Sequence, residues 1–263
     1  MLQALAERNI RPDLVLGASV GALNAAWVAG DPSLEHLDEL AAVWTSLRTH
    51  DVFPLRPLTG LLGFLGRRNA LVSSDRLRAV VARNLRHERL EDFPLPLCVV
   101  ATEVTSGREV ELTTGNALDA IIASASIPGV LPPVRVGDRV LMDGGVVNNT
   151  PISNAIAAGA TRIYVLPTGY ACDLQAPPKT ALAMTLQAIS LLVQQRLIID
   201  VRELQDHVDL RVIPPLCPLD VSPADFSHAR ELMDATRIGA GRWLDAMADG
   251  TALETIHEHG GAD

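Results

Sequence analysis

The sequence predicts a single α/β domain over residues 1–263 that is built around a mainly parallel β-sheet. Short apolar segments of strand type alternate along the chain with amphipathic helical segments, the order that produces βαβ units. Apolar residues make up 48% of the chain and charged residues 20%, so a sizeable core is available and a disordered chain is excluded. Neither an internal repeat nor a linker interrupts this alternation.

In the first half of the chain, apolar runs predict the strands, and small or amphipathic segments predict the helices. Ser73, Ser74 and Asp75 are good capping residues for the helix that they begin. The segment Val52–Asn69 is rich in Leu, Gly and Pro and is predicted to be an irregular surface excursion. The predicted helices are 2–8, Ala22–Ala29, Leu34–Leu47, Ser73–Leu85 and Ala117–Ala123, and the predicted strands are Leu14–Leu16, Leu97–Ala101 and Arg108–Leu112.

The second half continues the alternation with longer helices. Ala181–Gln205 is the clearest helix, because its apolar residues recur at spacings of three or four. A last helix is predicted from Ser222-Pro223 to about Ala248, since Asp225 follows the capping serine by three residues. The remaining predictions are strands at Arg139–Met142, Arg162–Leu166 and Asp209–Ile213, a helix over 151–158, and a frayed tail over Glu254–Asp263.

Charge and composition exclude several functions. The net charge of −9 and the lack of Lys/Arg runs argue against a nucleic-acid partner, and 3% aromatic residues disfavour base stacking and carbohydrate clefts. Cys98, Cys172 and Cys217 lack the spacing of metal ligands and are interpreted as reduced thiols. Neither a signal peptide nor a membrane span is visible in the sequence. We therefore expect a cytoplasmic protein, and the sequence leaves its oligomeric state open.

The strongest chemical signal is Gly17-x-Ser19-x-Gly21, which stands between an apolar strand and a helix. A serine at a sharp strand-to-helix turn is held in a strained conformation that exposes its hydroxyl, and the glycines permit close backbone approach. The N-terminus of the helix adds a positive potential that favours an alkoxide or an oxyanion. The motif therefore predicts a nucleophile elbow, with a turn that only packs a helix on a strand as the alternative.

The second signal is Asp143-Gly144-Gly145, in which a carboxylate ends a buried strand and two glycines support the loop that follows. The carboxyl ends of parallel strands lie at the same edge of a sheet, so Asp143 is predicted to point towards Ser19. It would accept the serine proton as a general base and return it to the leaving group. An ordinary aspartate has a pKa of about 3.9, so partial desolvation must raise that pKa. A simple loop cap is the alternative interpretation of Asp143.

A histidine triad is a second way to activate the serine. The order Ser…Asp…His of an α/β-hydrolase would be satisfied by Asp143 followed by His207 or His228. Neither histidine follows a predicted strand, and Ser19 stands too early for a fold that places several strands before its nucleophile. We therefore expect both histidines to be surface residues.

These motifs together resemble the patatin-like phospholipases. The serine motif continues as Ala22-Leu23-Asn24-Ala25, and matches run in order from residue 2 to about 166. Beyond about 167 the chain fits only as a generic helix–strand–helix continuation. The further matching segments are Ala101–Gly107, Ala125–Pro128 with Leu131–Pro133, and Val146–Pro151.

The resemblance implies a three-layer α/β sandwich and a lipid acyl hydrolase that works through an acyl-enzyme. Ser19 would be the nucleophile, Asp143 its partner, and no metal or organic cofactor is implied. The substrate would be a lipid ester such as a glycerophospholipid, and transient contact with a membrane surface is an open alternative to a purely cytoplasmic location. The hydrophobic segment Val52–Leu65 either covers the core or borders an acyl-binding cleft.

The sequence departs from the family at one place. Patatin-like proteins carry a glycine-rich oxyanion loop after their first strand, whereas here Met1–Leu5 aligns with the end of the helix that follows that loop. We therefore expect a domain truncated at its N-terminus, and loss of one oxyanion donor lowers rates by about 10²–10³-fold. The alternative function is an impaired or noncatalytic member that acts as a lipid-binding or interaction module.

Overall fold

The computed structural model of the protein describes residues 1–52, 70–168, 177–178, 181–217, 221 and 225–249. Three predicted features lie wholly or almost wholly outside these residues: the excursion Val52–Asn69, the Ser222-Pro223 cap and the tail Glu254–Asp263. The chain divides into two compact units, which are described separately below. The grouping of the whole chain into one domain stays a prediction.

The elements alternate as the sequence predicts. The helices of the described residues are α1 Leu2–Glu7, α2 Val20–Gly30, α3 Leu34–Ser46, α4 Thr49–Val52, α5 Asp75–Asn84, α6 Ala117–Ser124, α7 Ile152–Ala157, α8 Ala181–Leu204 and α9 Ala229–Ala248. The strands are β1 Val15–Ala18, β2 Leu97–Glu103, β3 Glu109–Leu112, β4 Val134–Val136, β5 Arg139–Asp143, β6 Arg162–Val165 and β7 Asp209–Val212. Short 3₁₀ turns occupy Leu90–Asp92, Gly144–Val146 and Phe226–His228. The predicted helices and strands in the described residues are confirmed except for the start of the last helix, because α9 begins at Ala229, after the turn Phe226–His228 and later than the predicted start at Ser222-Pro223. Strand β4 and helix α4 are additions.

The first unit, which we call the central unit, comprises Arg11–Pro151 and Val221–Ala229 and contains a five-stranded sheet. Strand β1 pairs with β2 in parallel, whereas β3 and β5 pair with β2 antiparallel and β4 pairs with β5 antiparallel. The α/β class is confirmed, but antiparallel hairpins make this sheet mixed. Gly107 and Gly137 adopt positive φ values of 67° and 61° in the two hairpin turns, where a side chain would be strained.

The core of the central unit is aliphatic, as the low aromatic content requires. Helix α2 packs against β1 and β2 through fully buried alanines such as Ala22 and Ala29, and α6 contributes the fully buried Ile121 and Ile122. Small side chains let the α2 backbone approach the sheet closely. This close approach fixes the position of the residue that precedes α2, which is Ser19.

The second unit, which we call the terminal unit, comprises Met1–Ile10, Ile152–Asp220 and Arg230–Asp263. Its described strands, β6 and β7, pair in parallel, and Leu197 and Val201 of α8 belong to the core cluster that contains Val165 of β6 and Val212 of β7. Arg8 joins α1 to α9 by two hydrogen bonds of 2.7 Å to Asp245. Exposed ion pairs of this kind contribute at most about 1 kcal/mol, so apolar burial is the main stabilising term here.

The cysteines differ from the sequence-based interpretation in one respect. Cys98 is free and buried in the central unit, and burial raises the pKa of its thiol to about 12. Cys217 is disulfide-bonded, so the prediction of three reduced thiols is wrong for this residue. Cys172 lies outside the described residues. Because the three cysteines lack any recognisable spacing, the sequence pattern gave no indication of the bond.

Candidate active site

The first part of the candidate site is the turn formed by residues 17–21 between β1 and α2, which we call the nucleophile turn because it contains the predicted nucleophile Ser19. Ser19 has φ 54° and ψ −129°, a conformation that residues with a side chain rarely adopt. A Cβ atom on Gly17 would lie 2.3 Å from the carbonyl oxygen of Gly21, so glycine is required at position 17. A Cβ atom on Gly21 would meet nothing within 4 Å. Close backbone approach therefore explains the first glycine of the motif but not the second.

The second part is the aspartate turn, residues 143–145, at the end of β5. Asp143 is 5% exposed, and its Oδ1 atom accepts a 2.7 Å hydrogen bond from the Gly145 amide. A Cβ atom on Gly144 would lie 2.1 Å from the carbonyl oxygen of Val100 in β2. The first glycine after the aspartate thus allows the turn to pack directly against the backbone of β2.

The strand register brings the two turns together. Ala18, the last residue of β1, pairs with Val100, and Asp143, the last residue of β5, pairs with the next residue of β2, Ala101. Strand β3 pairs with Val99–Thr102 along its length, so β1 and β5 must share the other edge of β2. They run in opposite directions, and their carboxyl ends meet there. Asp143 therefore reaches Ser19 from a strand that approaches head-on, rather than from the end of a neighbouring parallel strand.

At this meeting point, Ser19 Oγ donates a 2.6 Å hydrogen bond to Asp143 Oδ2. Burial raises the pKa of the Asp143 carboxyl to about 6, although the hydrogen bonds from Ser19 and Gly145 favour the ionised form and limit the rise. A carboxylate with this pKa is ionised at neutral pH and is a stronger base than an exposed aspartate. Among the described residues, no histidine forms a hydrogen bond to either side chain.

Two buried hydroxyl groups attach the pair to β2. Ser124 Oγ donates to the carbonyl oxygen of Val100 at 2.6 Å and accepts from the Ser19 amide at 2.9 Å. Thr102 Oγ1 donates to the carbonyl oxygen of Asp143 at 2.8 Å. Both side chains are fully buried. Sequence reasoning did not find either residue, since a single hydroxyl within an apolar segment has no recognisable pattern.

The two histidines considered for a triad are exposed residues. His207 follows α8 in the terminal unit and is exposed, and His228 is exposed in the 3₁₀ turn that precedes α9. The expectation that both are surface residues is confirmed. The described geometry therefore joins Ser19 to a carboxylate without an intervening imidazole.

Comparison with known proteins identifies the class to which this fold and site belong. The family model described as patatin-like phospholipase matches residues 1–156, which is more than half of the chain. The chain therefore belongs to the patatin-like phospholipase family, a family of lipid hydrolases, and the predicted patatin-like α/β fold is confirmed.

The individual relatives share limited sequence identity with the chain. The chain is 28% identical to patatin-like phospholipase domain-containing protein 7 of Rattus norvegicus over 171 residues, which are 64% of this chain and 12% of that protein. It is 27% identical to patatin-like phospholipase domain-containing protein 6 of Homo sapiens over the same shares of the two chains. It is 33% identical over 153 residues to an uncharacterized NTE family protein of Mycobacterium tuberculosis, covering 58% of this chain and 40% of that protein. The matched region is thus less than half of each of these relatives.

The structure also bears on the relation to membranes. None of the helices within the described ranges is both long enough and apolar enough to cross a bilayer.

Proposed function

We propose that the protein is a lipid acyl hydrolase in which Ser19 and Asp143 form a catalytic dyad. The observation that carries the proposal is the 2.6 Å hydrogen bond from Ser19 Oγ to a buried carboxylate, at a turn with the strained backbone of a nucleophile elbow. Membership of the patatin-like phospholipase family supports a lipid ester as the substrate.

The first half of the reaction is acyl transfer to the serine. As Ser19 Oγ attacks the ester carbonyl carbon, its proton passes to Asp143 Oδ2 along the existing hydrogen bond. The negative charge that develops on the carbonyl oxygen is favoured by the N-terminal end of α2, which begins directly after the nucleophile. When the ester C–O bond breaks, protonated Asp143 returns the proton to the leaving alcohol, and the acyl group remains on Ser19.

The second half releases the acyl group. A water molecule attacks the acyl carbonyl carbon and gives a proton to Asp143, and the bond to Ser19 Oγ then breaks. Asp143 returns this proton to Ser19 Oγ, so the products are a carboxylic acid and the starting enzyme. Burial of Asp143 suits both halves, because a raised pKa makes the carboxylate a better base and leaves its protonated form acidic enough to donate.

The proposed substrate is a lipid ester. Glycerophospholipids are the expected class of lipid ester, and no metal or organic cofactor takes part in the proposed steps. The net charge of −9 disfavours strong attraction to anionic bilayers, so contact with a membrane surface is proposed to be transient.

The deciding experiment is active-site labelling with a fluorophosphonate probe, which phosphonylates activated serines. We expect the folded protein to be labelled at Ser19, as located by peptide mass spectrometry, and to hydrolyse p-nitrophenyl esters and phospholipid vesicles. Ser19→Ala and Asp143→Ala are expected to abolish both activities. His207→Ala and His228→Ala are the matched controls, and both variants are expected to retain labelling and hydrolysis.

Each outcome separates the candidate functions. Loss of activity in either histidine variant would favour a histidine triad over the dyad. Absence of labelling in the folded wild-type protein would favour a noncatalytic lipid-binding or interaction module.

A further inference from the structure

The backbone amide of Ser19 is bonded to a side chain from a distant part of the chain. Its N–H group donates to Ser124 Oγ at 2.9 Å, across a separation of 105 residues. The carbonyl group of Ser19 instead accepts from the Ala22 amide at 3.0 Å, within the first turn of α2. One side of the Ser19 peptide backbone is thus fixed by its own helix, and the other side by Ser124.

Ser124 is the last residue of α6 and is completely buried. Its hydroxyl donates to the carbonyl oxygen of Val100 at 2.6 Å, so the lone pairs of the oxygen are left to accept from Ser19. Val100 pairs with Ala18, the residue before the nucleophile. The hydroxyl therefore bridges the nucleophile turn and the strand on which that turn depends.

We propose that Ser124 is a positioning residue that holds the backbone of Ser19 in its positive-φ conformation and so keeps Ser19 Oγ directed at Asp143. The inference rests on the proposed function, because it assigns Ser124 a role in the same reaction. Strained conformations at active sites persist only where surrounding contacts enforce them. The bond to Ser124 is the contact that fixes the amide side of this conformation. The hydroxyl that makes it is fully buried, so leaving its hydrogen bonds unmade is unfavourable.

Loss of the Ser124 hydroxyl would leave the Ser19 N–H and the Val100 carbonyl without this partner. The nucleophile turn could then relax towards unstrained conformations in which Ser19 Oγ no longer meets Asp143 Oδ2. Ser124 itself touches neither the substrate nor the Asp143 carboxyl in the proposed reaction. The expected defect is therefore a lower rate of the chemical step with little change in substrate binding.

The chain offers a matched control in Ser126, two residues further on. Ser126 is also completely buried, and its hydroxyl also donates to a backbone carbonyl, that of Ile122, at 2.7 Å. Ser124→Ala and Ser126→Ala therefore remove the same buried group from neighbouring positions, but only the first removes the bond to Ser19.

The test measures fluorophosphonate labelling of Ser19 as a saturable reaction, which gives the maximal inactivation rate and the concentration for half-maximal rate separately. For Ser124→Ala we expect the maximal rate to fall by about tenfold with an unchanged half-saturating concentration. The kcat of p-nitrophenyl butyrate hydrolysis should fall in parallel, at constant KM. For Ser126→Ala we expect both constants to stay within about twofold of wild type, even if this variant lowers the melting temperature as much as Ser124→Ala does.

Ser124→Cys is measured alongside, because it keeps the connectivity of the side chain but replaces the oxygen acceptor by a larger sulfur that accepts hydrogen bonds more weakly. It is expected to fall between wild type and Ser124→Ala, and it decides the matter if Ser124→Ala does not fold. Equal maximal rates for wild type and the Ser124 variants would overturn the inference while leaving the dyad intact. Absence of labelling in wild type would instead overturn the proposed function itself.

Discussion

The nucleophile turn and the aspartate turn meet at one point on β2, but they hold their functional groups in opposite ways. Ser19 is partly exposed on a strained backbone, whereas Asp143 is buried on an unstrained one, with φ −48° and ψ 130°. The unfavourable free energy at Ser19 therefore comes from its backbone conformation, and that at Asp143 comes from desolvation of its carboxyl group. The comparison indicates that the two turns should respond to different perturbations: the first to changes in backbone contacts, the second to changes in charge and pH.

The turns nevertheless share a method of attachment. Each contains one glycine whose Cβ would collide with a backbone carbonyl, Gly17 in one turn and Gly144 in the other. Each is also tied by one buried hydroxyl, Ser124 or Thr102. We call the buried hydroxyl of each turn its hydroxyl anchor. Both turns have such an anchor, but only the nucleophile turn is strained, so variants at equivalent positions can separate the effect of the anchor from the effect of strain.

The largest effect is expected from Asp143→Asn. Asparagine can accept from the Gly145 amide and donate to Ser19 Oγ but cannot act as a base, so ester hydrolysis should fall by at least about 10³-fold. The pKa of Asp143 is about 6 in the folded protein and lower in the unfolded chain, so the folded state binds more protons between these values. The stabilising contribution is thus present at low pH and is lost as the pH rises through about 6. Asp143→Asn should therefore stabilise the protein by about 1–3 kcal/mol near pH 7.5 and much less near pH 4.

Thermal unfolding of wild type and Asp143→Asn at the two pH values checks this expectation. Ser19→Ala is the control. It should be equally inactive, but its stability relative to wild type should not increase with pH. A stability difference for Asp143→Asn that is the same at both pH values would contradict the assignment of desolvation to the aspartate turn.

The next largest effect concerns the glycines of the nucleophile turn. Gly17→Ala should destabilise the protein by about 3 kcal/mol, because the new methyl group would overlap the carbonyl group of Gly21 and neither backbone can move easily. Gly21→Ala should leave stability unchanged or raise it slightly, since its Cβ enters open space in the first turn of a helix. Urea unfolding of the two variants gives the comparison directly.

Gly144→Ala extends this test to the aspartate turn. Its Cβ would approach the Val100 carbonyl oxygen as closely as the Gly17 Cβ approaches Gly21, so a loss of similar size is expected. If Gly21→Ala were as destabilising as Gly17→Ala, the described contacts would not account for the motif.

The sequence predicted the local parts of this site and that Asp143 points towards Ser19, but not the strand arrangement that brings them together. The motif around Ser19 and the run Asp143-Gly144-Gly145 could be recognised, because strand, turn and glycine signals lie within a few residues of one another. The antiparallel, head-on approach of β5 could not be foreseen, since the hairpin partner β4 has only three residues and no fully buried side chain. The contact between Ser124 and Ser19 joins residues 105 positions apart, and a distant pairing of this kind has no local signal.

A smaller effect should appear in the pH dependence of hydrolysis. The general base must be ionised, so kcat/KM should rise about tenfold per pH unit below about 6 and level off above it. Initial rates with a p-nitrophenyl ester over this range measure the profile. His207→Ala and His228→Ala are profiled in parallel as controls and should show the same curve. A curve without a titration near pH 6 would contradict desolvation of Asp143.

The smallest effect is expected from Thr102→Val, which removes the hydroxyl bond to the Asp143 carbonyl while keeping nearly the same shape. The unfolding free energy should fall by about 1 kcal/mol, the usual contribution of a buried neutral hydrogen bond. Because the Asp143 backbone is unstrained, loss of the anchor should leave the carboxyl in place, and kcat should fall by no more than about threefold. Thr102→Ser keeps the hydroxyl and should retain full activity. A loss of kcat in Thr102→Val as large as that in Ser124→Ala would show that both turns depend equally on their hydroxyl anchors, and strain would no longer distinguish them.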